Sequence, residues 1–243
     1  MLKVKLFKLC AIANVLCLIL IILYASVCLP TFSMWFYRWQ YKLHDTANLI
    51  GVSNTDLEML TRNLMRYILG FDDNLQINVS VSGTVRPFFS DVEISHMKDV
   101  KSLFMGAFFV VCASLAIFLM TLVLCVIKGR EHKKILYKTY IIASILTICI
   151  FTFLALWSII DFESIFILFH KMFFNNQDWL LDPSTDFLIV MYPIEFFVTI
   201  AVFIFVLFTV FLTVVIFIAL FLLKKYKKSK LIYSKMSDNQ KIN

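Results

Sequence analysis

Glycine is scarce in this chain. The five glycines, Gly51, Gly70, Gly83, Gly106 and Gly129, are scattered, so neither a phosphate-cradling P-loop nor a dinucleotide fingerprint can be assembled from them. No His-Glu-x-x-His, no Cys-x-x-Cys and no Gly-x-Ser-x-Gly occurs, which argues against a standard zinc protease, dithiol redox enzyme or serine hydrolase. Cysteine is missing from the polar connections. Cys10, Cys17, Cys28, Cys112, Cys125 and Cys149 all fall in apolar stretches, so no disulfide staples a domain outside them. Four long stretches, Leu9–Leu29, Ser102–Ile127, Thr139–Ile160 and Phe196–Leu223, contain no Asp, Glu, Lys or Arg. Ion pathways and proton relays normally need such groups within the bilayer. A pump or transporter is disfavoured on that ground, and a lipid-handling role stays open.

What the chain has in abundance is apolar surface. It is 61% hydrophobic, and each charge-free stretch exceeds the roughly 20 residues that cross a bilayer at about 1.5 Å per residue. Four spans are expected, at about 9–29, 102–127, 139–160 and 196–223. Charge sets their orientation. The two chain ends and the connection around Lys128–Lys138 carry 15 Lys and Arg against Glu131 and Asp238, while the other two connections carry 8 basic and 14 acidic residues. Basic loops stay in the cytoplasm, so both termini and the middle loop are expected inside. The net charge of +7 then reflects topology and contact with anionic lipid, with no nucleic-acid site implied. The first apolar block ends Val27-Cys28-Leu29-Pro30, a poor lipobox and a poor signal-peptidase site. It is expected to stay as an anchor. The 18 Lys against 5 Arg suit an AT-rich bacterial genome.

Residues 30–101 are expected to form a small extracytoplasmic α/β subdomain. Thr31–Leu43 is dense in rings (Phe32, Trp35, Phe36, Tyr37, Trp39, Tyr41). Such rings favour the headgroup region, and the segment is expected to begin as a strand. Thr55-Asp56-Leu57-Glu58 has the form of a capping box. The helix after it places Leu57, Leu60, Leu64, Tyr67 and Ile68 on one side, with Gly70 suited to its end. Leu75–Val81 alternates apolar and polar residues, Ser82-Gly83 reads as a turn, and Thr84–Phe89 as a return strand limited by Pro87. Ser90-Asp91-Val92-Glu93 is a second capping box, opening a helix that should run straight into the second span. Residues 161–195 are less polar than an ordinary loop. Ser164–Phe174 should form a short interfacial helix, followed by Trp179, an Asp182-Pro183 turn and the apolar run Phe187–Tyr192.

Histidine is rare, with four in the chain, and two are placed for chemistry. His96 lies in the second turn of the helix entering the second span, and His170 lies in the interfacial helix. Both therefore fall near the depth of lipid ester bonds. For one such histidine, an interfacial polar residue bonded to backbone is the simpler reading; two on one side shift the balance toward a site. Asp99, at i+3, can share a face with His96. Two histidines and a carboxylate can bind zinc, but no third ligand stands at a telling spacing, and neither a metal nor another cofactor is expected. His44 and His132 read as ordinary surface residues. The combination points to a four-span, mainly α membrane protein carrying a pair of histidines at the bilayer surface. A non-catalytic accessory protein that binds a partner or lipid, and a metal-dependent lipid hydrolase, are the rival readings.

The run Ser90-Asp91-Val92-Glu93-Ile94-Ser95-His96-Met97-Lys98-Asp99-Val100-Lys101 before the second span resembles the bacterial lipoprotein intramolecular transacylase family, Lit. So do Phe169-His170-Lys171-Met172-Phe173-Phe174, Asp178-Trp179-Leu180-Leu181-Asp182-Pro183 and Tyr192-Pro193-Ile194-Glu195-Phe196-Phe197. The resemblance covers almost the whole chain. It implies transfer of the sn-2 acyl chain of diacylglyceryl-cysteine to the cysteine α-amino group, giving a lyso-form lipoprotein, with a diacylated lipoprotein and membrane lipid as partners. It also implies His96 and His170 as the catalytic pair. An ester becoming an amide runs downhill and needs no ATP, consistent with the missing P-loop. Which histidine is base and which is acid is left open, though Asp99 would favour His96 as base by orienting it. Candidates for oxyanion or substrate binding are Arg62, Arg66, Tyr192 and the backbone N–H groups that open the Asp91 helix. Arg62 and Arg66 read equally well as solvated surface charges. Phe169, Phe173 and Trp179 either line the acyl site or float the loop in the interface.

Overall fold

The computed structural model describes residues 2–127 and 130–242, apart from the side chains of 2–4, 126, 130, 131 and 229–242. Among the groups used above, Lys128 and Gly129 lie outside the described residues. So do the side chains of Lys3, Arg130, Glu131, Lys230, Lys235, Asp238 and Lys241.

Four long helices carry the four charge-free stretches: α1 (Leu2–Thr31), α5 (Asp91–Ile127), α6 (Arg130–Ile160) and α9 (Ile194–Ile242). Among the described residues, these four are long and apolar enough to cross a bilayer. The protein is thus a mainly α, multi-pass membrane protein. Between α1 and α5 lie α2 (Met34–His44), α3 (Thr46–Ile50), α4 (Asn54–Ile68), β1 (Asn78–Val81) and β2 (Thr84–Pro87). Between α6 and α9 lie α7 (Phe162–Phe173) and α8 (Phe187–Met191).

The chain folds as two compact units. One comprises Met1–Ala25, Val111–Leu154 and Phe205–Asn243. In it Phe7, Ala11, Cys125 and Leu136 are buried together, and Phe7 meets His132 edge-on with ring centroids 4.2 Å apart. His132 is therefore packed and is not the plain surface residue its basic surroundings suggest. Polar groups here are paired across helices. The Asn14 amide donates to the Phe118 carbonyl at 2.8 Å and to Thr121 Oγ1 at 2.8 Å, and Tyr140 Oη–H donates to Asn14 Oδ1. Unpaired polar groups in hydrocarbon cost several kcal/mol each, which is why this cluster closes on itself.

The other unit comprises Ser26–Val110 and Ala155–Ile204. Its core gathers one face of α2 (Phe36, Tyr37, Tyr41), the apolar side of α4 (Leu57, Leu60, Leu64, Tyr67), the inward residues of β1, and α8 with the start of α9 (Leu188, Met191, Tyr192, Phe196). The strand expected at the start of Thr31–Leu43 is instead helix α2. Aromatic content favours strands, but packing overrides it. Phe36, Tyr37, Gln40 and Tyr41 are buried at helical spacing, and exposed Trp35 and Trp39, at i and i+4, stack 6.1 Å apart.

The first cap is also two residues earlier than its sequence form suggests. Ser53 Oγ accepts the Asp56 N–H at 3.0 Å and donates to Asp56 Oδ2 at 2.7 Å. Thr55 already lies within α4. The hairpin is as expected but shorter, pairing Asn78 with Pro87 and Val81 with Thr84. Ser82 and Gly83 have φ of 50° and 85°, the pair of positive values that a two-residue hairpin turn needs. The turn is held from below: Ser82 N–H donates to the Gly51 carbonyl at 2.8 Å. A Cβ on Gly51 would stand 2.3 Å from Ser82 Oγ, and its φ is +80°, so this position requires glycine.

The second capping box is formed in both directions. Glu93 N–H donates to Ser90 Oγ at 3.2 Å, and Ser90 N–H donates to Glu93 Oε2 at 2.6 Å. From this cap α5 runs unbroken to Ile127. Its first eleven residues, through Lys101, precede the apolar block and carry His96 outside it.

Candidate functional site

His96, from the second turn of α5, and His170, from the last turn of α7, meet. Their ring centroids are 6.0 Å apart, and the residues are 8% and 7% exposed. Helix α7 delivers its histidine through local chemistry. Asp161 caps its start by accepting the Ser164 N–H at 3.0 Å, and after twelve helical residues the chain turns off at Phe174. Rings enclose His170: Phe166 at 4.2 Å, Trp179 stacked at 4.8 Å and Phe169 edge-on at 5.5 Å. Phe174 lies against both imidazoles, 5.3 Å from His96 and 5.5 Å from His170.

The protons can be placed from hydrogen bonds. His170 Nδ1 is 2.7 Å from the Phe166 carbonyl oxygen. A carbonyl only accepts, so Nδ1 carries the hydrogen and Nε2 keeps the lone pair. Burial lowers the His170 pKa, partly offset by that carbonyl. His96 is pushed down to about 4, first by burial and then by the neighbouring His170, against the pull of Asp99 and Asp178. Both rings are held neutral near pH 7. His96 Nδ1 is buried without a hydrogen-bond partner.

The carboxylate expected to orient His96 is engaged elsewhere. Asp99 Oδ2 accepts from Asn176 Nδ2 at 2.7 Å, because the connection between α7 and α8 folds back along α5. Ser95 Oγ donates to Asp178 Oδ2 at 2.6 Å, and Ser90 Oγ donates to Asp186 Oδ1 at 2.9 Å. Beside the histidines, Asp99, Ser102, Leu103, Phe173, Phe174 and Asn176 help to line a cavity of about 230 Å³. Its wall joins polar groups to rings. Among the described residues, no three His, Cys, Asp or Glu side chains gather as a metal site.

The other candidates divide. Phe169, Phe173, Trp179 and Asp99 belong to this neighbourhood. Arg62 and Arg66 have partners of their own. Arg66 forms a two-pronged pair with Asp72 at 2.8 and 2.9 Å, and Arg62 lies 3.6 Å from Glu58. Tyr192 is in the core, its hydroxyl 3.1 Å from that of Tyr41, and burial raises its pKa. No described contact joins these three to the histidines. At the start of α5, the Glu93 N–H is already taken by Ser90 Oγ. Sequence reasoning missed Phe166 and Phe174 as partners of His170, although both stand four residues from it on a helical period. It also missed Asn176 and Asp178, whose partners are distant in sequence.

The family model for lipoprotein intramolecular transacylase Lit matches residues 12–197. The chain belongs to the Lit family. It is therefore a membrane-integral acyltransferase, an intramolecular transacylase with a lipoprotein substrate. Solved structures of the Bacillus cereus Lit share its fold. One aligns at TM-score 0.70 and 21% identity, covering 94% of this chain and 99% of that one. A histidine-to-alanine variant aligns at 0.75 and 23%, covering 93% and 98%. A histidine-to-arginine variant aligns at 0.72 and 24%, covering 93% and 94%. No curated protein sequence matches the chain.

Proposed function

We propose that His96 and His170 are the reacting pair, moving the sn-2 acyl chain of a diacylglyceryl-cysteine to its own α-amine. The single observation carrying this is the meeting of two buried imidazoles, their centroids 6.0 Å apart, beside a cavity walled by Asp99 and rings. The amine nitrogen attacks the ester carbonyl, forming a C–N bond. His170 Nε2 takes the proton the nitrogen sheds. The ester C–O bond breaks, and the glycerol oxygen receives a proton, so an amide and a free hydroxyl result with nothing consumed. His96 is the donor to that oxygen. Burial and the neighbouring His170 keep it an N–H donor rather than a cation; the imidazolate that its donation leaves takes the proton held on His170 Nε2, so both rings end neutral. Proton transfer of this kind is worth about 10²–10⁴-fold, and holding amine and ester of one molecule together adds a further large factor.

Asp99 receives the substrate ammonium before it deprotonates, in the cavity it lines. Phe169, Phe173 and Trp179 flank the acyl chain. The excess of basic residues at the termini and middle loop supports a site on the extracytoplasmic side with both termini cytoplasmic. Residues 30–101 and 161–195 then rest together on the outer membrane surface, in contact with lipid.

The reaction is tested by expressing the chain in a bacterium whose lipoproteins are diacylated and fragmenting the N-terminal lipopeptide by mass spectrometry. An unchanged mass with an N-acyl fragment is expected. Loss of one acyl mass would make the protein a hydrolase, and an unaltered fragment pattern would make it an accessory protein.

A further inference from the structure

The mechanism makes no use of Glu93, yet it is a carboxylate with 1% exposure one helical turn before His96. Its two oxygens go to two parts of the chain. Oε2 accepts the Ser90 N–H at 2.6 Å, closing the cap of α5. Oε1 accepts the Leu188 N–H, 95 residues away, at the start of α8. Burial raises its pKa, opposed by these backbone bonds, and Asp186 adds to the rise. A charge is seldom buried without such donors.

Glu93 is the deepest of four ties between α5 and the connection that follows α7. The ties pair Ser90 with Asp186, Glu93 with Leu188, Ser95 with Asp178 and Asp99 with Asn176. They bracket His96 along α5. The connection they fasten includes Trp179, stacked on His170. Asp186 is itself fixed by accepting the Asp182 N–H at 2.9 Å. The Asp99 tie is exposed and the Ser95 tie part-buried, whereas the Glu93–Leu188 bond is fully buried. An exposed bond exchanges with water at little cost, while a buried carboxylate must keep its donors.

We infer that Glu93 is a positioning residue for the acyl transfer, fastening the 176–188 connection to α5 so that the two imidazoles keep their register. Glu93 does not itself line the cavity, so its effect is expected chiefly on the rate of the bound substrate. This inference rests on the assignment of His96 to the reacting centre.

The test compares Glu93→Gln and Asp186→Asn with wild-type enzyme reconstituted in liposomes with a synthetic diacylated lipopeptide. Glutamine keeps the shape but turns an NH2 toward one of the two backbone N–H donors. The expected result is a kcat at least about tenfold lower with KM within about twofold of wild type, and the pH dependence of kcat/KM unmoved. Asn14→Leu, a destabilised control in the other unit, should keep kcat per folded molecule. Wild-type kcat in Glu93→Gln overturns the inference, as does a raised KM with kcat intact. If Glu93→Gln does not accumulate in the membrane, Asp186→Asn decides by the same criteria. Failure of the underlying reading looks different: His96→Asn would then remain active whatever Glu93→Gln does.

Discussion

A histidine with a pKa near 4 stays neutral across the physiological range, which sets how activity should depend on pH. The attacking amine has an ordinary pKa of about 7.7–8.0, well above both buried imidazoles. The acidic limb of kcat/KM should therefore follow the substrate amine, with an inflection at or above about 7.7. An inflection near 6.5, the ordinary histidine value, would show that the pair is not held neutral. The same groups link stability to pH. His96 has a lower pKa folded than unfolded, so its neutral form is the one the fold accepts. Its contribution is whole above the unfolded value of 6.5 and is lost as pH falls toward about 4, on the order of 3 kcal/mol at most. The thermal midpoint should fall over that window, and more shallowly in His96→Asn. Parallel slopes would remove His96 from the account.

At the scale of the element, the helix that carries Glu93, His96 and Asp99 continues unbroken into the apolar block. This was legible in the sequence because it is local. The Ser90–Glu93 box and the periodic run beyond it need no partner to be read. The second partner of Glu93, the Leu188 N–H, was not legible, since nothing within a turn of Glu93 signals it. Helix α2 was misread for a related reason: its rings suggested a strand, and the core that buries one face of it is assembled from distant segments. The interhelical cluster of Asn14, Thr121 and Tyr140 makes an independent prediction for α1, α5 and α6. Interhelical hydrogen bonds in membranes average about 0.6 kcal/mol, with maxima near 1.7. Tyr140→Phe should lower the thermal midpoint in detergent slightly, and Asn14→Leu should lower it more, because it strands the Tyr140 hydroxyl. Equal midpoints in all three proteins would mean that the cluster does not hold the helices.

At the scale of the molecule, composition had already written the class. Four charge-free stretches announce the four long helices, and the sign of the connections their expected orientation. The rare histidines were expected to share one depth, and they meet from segments 74 residues apart. The partners that fix each ring were not legible. Asp99 stands at the right spacing to orient His96 but is held by Asn176, whereas the Phe166 carbonyl that fixes His170 is a backbone group on its own helix. Side-chain spacing proposes partners, and competition from the rest of the fold decides among them. The most direct measurement takes His96→Asn, His170→Asn and the double variant, each reconstituted in liposomes with a diacylated lipopeptide, and follows N-acylation by mass spectrometry. Each single change should cost at least about 10²-fold, with the double variant falling well short of the product of the two, since the rings act as a unit. Full activity in either single variant would contradict the account.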